Sequence, residues 1–248
     1  MKIKTIGKLA LIPVLVMGSS AASAKMLWSD FSLSLLTGQD YLNPFTETED
    51  DRNVFTFEHA SGHTWGGTFL FVDRLSNGYD TYGEFSINPD FYKDDGFIKN
   101  AFVATQIEFG SASGGDTSNF NHYLAGVGVN LAIPGFSYFN VSYYRRFQND
   151  LGIGRSDNNQ VSVTWRFDKG DFRVDGFLDV VDGADDDFGG TESGFNFTPQ
   201  IKYNVAPLLG LNTTGRLDVG MEYVYWKNKY GVKGQTESNP NLLVKWHF

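Results

Sequence analysis

No cysteine occurs in the chain. That excludes a disulfide framework, a thiolate metal site and a thiol nucleophile. Basic residues are outnumbered, with 20 Lys and Arg against 29 Asp and Glu and a formal charge of −9. Nucleic-acid binders need basic patches that displace condensed counterions, so this balance excludes one. It also excludes a polybasic binder of lipid surfaces. Beyond residue 24, no apolar run approaches the roughly 18 residues that a membrane helix requires.

The compartment is read from the N-terminus. Lys2, Lys4 and Lys8 form a positive segment, Leu9 to Met17 an apolar core, and Ala22-Ser23-Ala24 a small-residue cleavage pattern. This is the signature of a secretory signal peptide, too short to span a bilayer. The expected division is therefore 1–24 as signal peptide and 25–248 as a single mature domain. Setting 1–24 aside removes three lysines and no acids, leaving 17 basic against 29 acidic residues and a formal charge of −12.

What is abundant is aromatic: 22 Phe and 12 Tyr, beside 28 Gly, while mean hydropathy stays negative. A soluble sandwich with that aromatic load would show continuous apolar runs. Here hydrophobicity alternates instead. Phe31, Leu33 and Leu35 alternate with Ser32 and Ser34; Val161, Val163, Trp165 and Phe167 with Ser162, Thr164 and Arg166. Phe172, Val174 and Leu178 alternate with Arg173, Asp175 and Asp179; Leu217, Val219, Met221, Tyr223 and Tyr225 with Arg216, Asp218 and Glu222. The second member of each set is too charged for a dry core and suits a wet lumen.

About 12 such segments are expected, near 28–36, 53–60, 65–73, 80–88, 97–109, 121–132, 136–147, 160–167, 171–180, 194–203, 216–227 and 241–248. The fold class that follows is all-β: an antiparallel transmembrane β-barrel with short periplasmic turns and longer extracellular loops. Longer polar connections cover 37–52, 110–120, 148–159, 181–193 and 228–240. Short ones include Ser61 to Thr64, Pro134-Gly135 and Asp168-Lys169-Gly170. Two fit the rule less well: 74–79 is short for an outer loop and 204–215 long for a turn. The first long connection, with Pro44, Glu47, Glu49, Asp50 and Asp51, is a candidate for folding into the lumen. At the end of the chain, Leu242, Val244, Trp246 and Phe248 alternate with Leu243, Lys245 and His247. A terminal Phe closing an alternating strand resembles the signature used by the barrel-assembly machinery, an expected partner.

Several segments together carry a family resemblance. They are Phe55-Thr56-Phe57-Glu58-His59, Trp65-Gly66 with Phe69 to Asp73, and Tyr82-Gly83-Glu84. Late in the chain come Glu222 to Gly231 and the ending Leu243 to Phe248. In order and spacing the chain resembles the Tsx/OmpK-type family of nucleoside-specific channel-forming outer-membrane proteins, nearer the OmpK-type branch. The resemblance implies a monomeric 12-stranded barrel with a narrow pore, passive diffusion of small hydrophilic solutes with nucleosides foremost, and bacteriophage as a further partner. The nucleoside-contacting residues of Tsx-type members find no position-by-position match here. Outer-membrane lipid and lipopolysaccharide are the expected surroundings; no cofactor is implied.

A nucleoside-selective pore needs aromatic faces for the base and hydrogen-bonding or charged groups for the sugar, binding weakly enough to release. Alternation places the aromatics Tyr82, Tyr138, Tyr144, Phe177 and Trp226 inward. It places the ionisable groups Glu58, Glu84, Arg146, Arg166, Arg173, Asp175, Asp179, Lys202 and Glu222 inward as well. The competing reading is that these charges pair across the lumen and plug it. Tyr123, Tyr143, Trp165, Tyr203, Tyr223, Tyr225 and Trp246 fall on the other face as interfacial girdle residues. The run Asp182 to Asp187 offers carboxylates to Ca²⁺ but lacks EF-hand spacing, and a solvated loop is the simpler reading. An enzyme would need a base beside a nucleophile or activated water. Of the four histidines, His59, His63, His122 and His247, only His122 falls near an outer rim, and no partner motif accompanies it.

Overall fold

The computed structural model describes residues 24–76, 80–111, 119–148, 157–185, 190–211 and 215–248. The expected signal peptide lies outside them apart from Ala24, as do Asp186 and Asp187 of the acidic run and most of the 110–120 and 148–159 connections.

Twelve antiparallel strands close on themselves in chain order. They are β1 (Met26–Asn43), β2 (Thr48–His63), β3 (Gly66–Leu75), β4 (Thr81–Lys93), β5 (Ile98–Ser111) and β6 (Phe120–Leu131). The rest are β7 (Phe136–Phe147), β8 (Asn158–Lys169), β9 (Phe172–Val181), β10 (Gly194–Asn204), β11 (Arg216–Lys227) and β12 (Thr236–His247). Closure is made by β1 pairing with β12, from Ser32↔His247 to Gly38↔Asn241. A closed ladder leaves no unpaired sheet edge, the condition for strands to stand in lipid. The only helical element among the described residues is a 3-10 turn at Lys229–Gly231.

The alternation in the sequence becomes an alternation of burial. Along β12 the buried positions are Glu237, Asn239, Asn241, Leu243, Lys245 and His247, while Leu242, Val244 and Trp246 are exposed. Polar groups lie inside and apolar ones outside, the inverse of a soluble domain. The girdle residues Tyr123, Tyr143, Tyr203 and Trp246 are indeed exposed. Trp165 stacks on exposed Phe197, and Tyr223 bonds outward to Ser238.

One end of the barrel carries Lys25, Phe248 and the shorter turns. Asp168 and Lys169, expected in a turn, extend β8, leaving Gly170 and Asp171 to reverse the chain. Gly170 sits at φ +61°, where a side chain would be strained. The connection after β10 stays long, and Leu208 and Leu209 stand exposed in it.

The largest departure from expectation is at the other end. The 37–52 connection is not an irregular loop. β1 and β2 stay paired through Tyr41↔Asp50, Leu42↔Glu49 and Asn43↔Thr48, leaving 44–47 as the turn. Likewise β12 begins at Thr236, not 241, paired to β11 along its length. Apart from the adjacent Tyr41 and Leu42 the paired extensions are polar, so they lack hydrophobic alternation. Their hydrogen bonds run strand to strand regardless of side-chain type. Pro240 stands where β12 has lost its β1 partner, a position that tolerates a missing N–H.

Candidate functional site

The site is the lumen, and its side chains come in three tiers. At the end bearing Phe248, Arg173 Nε donates to Asp168 Oδ1 at 2.8 Å and Arg166 Nε to Asp168 Oδ2 at 2.6 Å. Arg216 Nε reaches Asp218 Oδ1 at 2.6 Å, and His247 Nδ1 lies 2.8 Å from Asp30 Oδ2. His247, which the sequence placed only beside the chain end, is thus an inward member of a charged ring.

Mid-barrel, Lys202 Nζ bonds both oxygens of Asp175, at 2.6 and 2.8 Å, and is only 1% exposed. Lys245 Nζ donates to Glu58 Oε1 at 2.8 Å across the closing strand β1. Gln200 Nε2 donates to Glu222 Oε2 at 2.7 Å, and Thr56 to Asp73 at 2.6 Å. Paired charges of this depth fix each other's geometry, since leaving either partner alone in low dielectric is costly.

Toward the loop end, Tyr82 donates to Glu84 at 2.6 Å, and Ser162 to Asp179 at 2.5 Å. Glu108 accepts from Arg146 Nη2 at 2.6 Å, and His122 Nδ1 is 3.2 Å from the same oxygen. The sequence offers His122 no partner at a telling spacing; the fold supplies two, from β5 and β7. The arrangement is a buried ion-pair cluster.

All the residues expected in the lumen face it, but they do not form one track. Tyr82, Glu84, Tyr144, Arg146 and Asp179 share the loop-end tier and act on one another electrostatically. Tyr138, Arg166 and Arg173 lie toward the opposite end, with Asp175 between them and the mid-barrel Lys202. Phe177 lies between, across from Thr164 and Thr198. Glu222 and Trp226 stand on β11, Trp226 beside Tyr230 at 4.6 Å between ring centroids. Lys229 Nζ lies 5.3 Å from the Trp226 ring centre and donates to Glu237 Oε2 at 2.5 Å. Burial holds the Lys229 ammonium below the ordinary lysine range, against the opposing pull of Glu237.

Sequence reasoning missed several lumen aromatics. Phe71 and Phe120 lie 5.7 and 6.2 Å from Tyr82, and Phe102 packs in a buried cluster with Ala104, Leu124 and Tyr144. In the run Phe69-Leu70-Phe71-Val72 both faces are apolar, so hydrophobicity cannot say which points inward. The pairing of Phe71 with Glu58 and Glu84 does. Of the acidic run, Asp182 accepts from the backbone and side chain of Asn159, both at 2.6 Å. Among the described residues no cluster of three or more metal-ligating side chains occurs.

The chain is similar in structure to the NanC porin, with a TM-score of 0.54 and 12% identity over 89% of this chain and 99% of that one. The KdgM porin aligns at TM-score 0.49 and 10% identity, over 88% and 99% of the two chains. The outer membrane channel DcaP of Acinetobacter baumannii aligns at 0.44 and 12%, over 92% and 99%. The fold is that of a 12-stranded porin barrel. At such identities the likeness is one of fold. No protein-family model matches the chain, and no curated protein does.

Proposed function

We propose that this protein is a monomeric outer-membrane channel for passive diffusion of small hydrophilic solutes, with nucleosides the leading class. The observation that carries the reading is the inverted barrel: an apolar outer face around an inner face of paired charges and aromatic rings. Tyr82, Phe71, Phe120 and Tyr144 supply ring faces beside the carboxylates of Glu84 and Glu108, which suits a base joined to a polyhydroxyl sugar. The Tsx/OmpK-type resemblance supports the same substrate class. On this reading the long connections face outward, where bacteriophage and lipopolysaccharide meet them, and the strand ending at Phe248 engages the assembly machinery. The chemistry is diffusion without catalysis.

The test is single-channel conductance of refolded protein in a planar bilayer, titrated with adenosine and thymidine. Saturable, reversible block by nucleosides and not by glucose is the expected result. Conductance indifferent to nucleosides overturns the substrate class and leaves a general small-solute porin. One observation favours a second reading, a plugged receptor barrel: Tyr41 packs on the inward residues Leu36, Val54 and Leu243, and Leu243 is 1% exposed. No conductance from folded protein is the outcome that reading requires.

A further inference from the structure

We infer that the tip of the β1–β2 hairpin is a movable outer constriction that sets the size limit of the pore, and that Glu237 is the residue that positions it. The inference rests on the channel reading. β1 leaves β12 after Gly38↔Asn241, and its register against β2 shifts between Gly38 and Tyr41. Asp40 lies in the left-handed region at φ 61° within that shift, the backbone device that re-aims a strand.

Beyond the bend, β1 no longer runs beside β12 but across its inner face. The Leu42 N–H donates to Glu237 Oε2 at 2.9 Å, and the Tyr41 hydroxyl to Asn241 Oδ1 at 2.6 Å; both acceptors are inward side chains of β12. The same Glu237 oxygen receives the Lys229 ammonium from the connection between β11 and β12. One buried carboxylate therefore ties the hairpin backbone to the facing loop. Charge-assisted bonds of this kind are the stronger ones.

The closed position carries a built-in cost. Asn239, between Glu237 and Asn241 on β12, is 0% exposed, and neither its amide nitrogen nor its oxygen has a hydrogen-bond partner among the described residues. Buried amide groups left unpaired are disfavoured relative to hydrated ones. Gly38 leaves room for this crowding: a Cβ there would fall 2.0 Å from Asn241 Oδ1 and 3.0 Å from Asn239 Oδ1. Swinging the hairpin outward hydrates Asn239 and breaks the bonds to Glu237 and Asn241. Two opposed contributions at one hinge make the tip a two-state element rather than a fixed wall.

Two variants test this, with conductance and liposome swelling in mono-, di- and trisaccharides as readouts. Glu237→Gln keeps the shape and removes the charge that grips Leu42 N–H and Lys229. The expected result is at least a twofold rise in mean conductance and entry of a sugar that the wild-type protein excludes. The second variant uses the absence of native cysteine. Phe45 and Tyr230, whose rings stack at 6.1 Å, are both replaced by Cys and joined by a cleavable bis-maleimide. Joined protein should conduct at most half as well as the same protein after cleavage. Folding is checked by heat-modifiable gel mobility, and if Glu237→Gln fails to fold, the Cys pair decides. Either change supports the inference, as does conduction by Glu237→Gln where the wild type is silent. Unchanged conductance and sugar limit in the folded variants overturn the hairpin's role while leaving a conducting wild type a channel. Silence from wild type and both folded variants overturns both readings.

Discussion

Tyr41 and Asn241 stand 200 positions apart in the chain, yet the hydroxyl of one donates to the carboxamide of the other at 2.6 Å inside the barrel. The bond joins the first strand to the last at the height where their backbone ladder ends. It couples barrel closure to the inward course of the first hairpin.

Tyr41→Phe keeps the ring on Leu36 and Leu243 and deletes only the donor. Asn241, 1% exposed, then loses that bond. The expected loss of stability is about 1–3 kcal/mol, read from urea unfolding in micelles by tryptophan fluorescence. A variant as stable as the wild type would show that this bond contributes nothing.

The Glu108–Arg146 pair makes a sharper contrast. Glu108→Ala leaves the Arg146 guanidinium buried without its carboxylate, and about 3–5 kcal/mol should be lost. Replacing both residues by Leu should cost clearly less, because no uncompensated charge remains. Equal losses in the single and double variants would contradict a paired, buried cluster.

The two faces of a strand should respond oppositely to charge. Val127, outward on β6 and 55% exposed, faces the apolar band, and Val127→Arg should cost about 2–4 kcal/mol in lipid. Gln106→Arg, on the lumen side of β5 beside Glu108, should be far milder in stability and visible instead in ion selectivity. Folding from urea into vesicles measures the first, and reversal potential in a KCl gradient the second. A tolerated Val127→Arg would place that face in water.

If nucleosides stack in the loop-end tier, Tyr82→Ala should weaken their block of conductance by roughly 5- to 150-fold, the equivalent of about 1–3 kcal/mol per stacked base. Tyr138→Ala, in the tier at the opposite end, should act independently of it. The half-blocking concentration of adenosine in each variant and in the double variant decides between two separate stations and one. A Tyr82→Ala channel blocked as readily as the wild type removes that ring from the path.

The chain's own pattern determined the architecture: the number of strands, their approximate places and, wherever polar and apolar residues alternate, which face turns inward. Period-2 alternation is local, so Val161 with Ser162, or Val244 with Lys245, reports its face without knowledge of any partner. The 14 residues expected in the lumen follow from that parity alone. Tertiary structure decided what parity cannot carry. Phe71 and Phe120 were hidden because an all-apolar run or a strand end has no polar neighbour to mark its face. His122 gained Glu108 and Arg146 through the registers of β5, β6 and β7, and Lys245 met Glu58 only because the barrel closes. The bend at Asp40 turned a polar stretch into a strap across the lumen. Backbone pairing is indifferent to side-chain polarity, so where hydrophobic contrast ends, three-dimensional closure alone sets which distant residues touch.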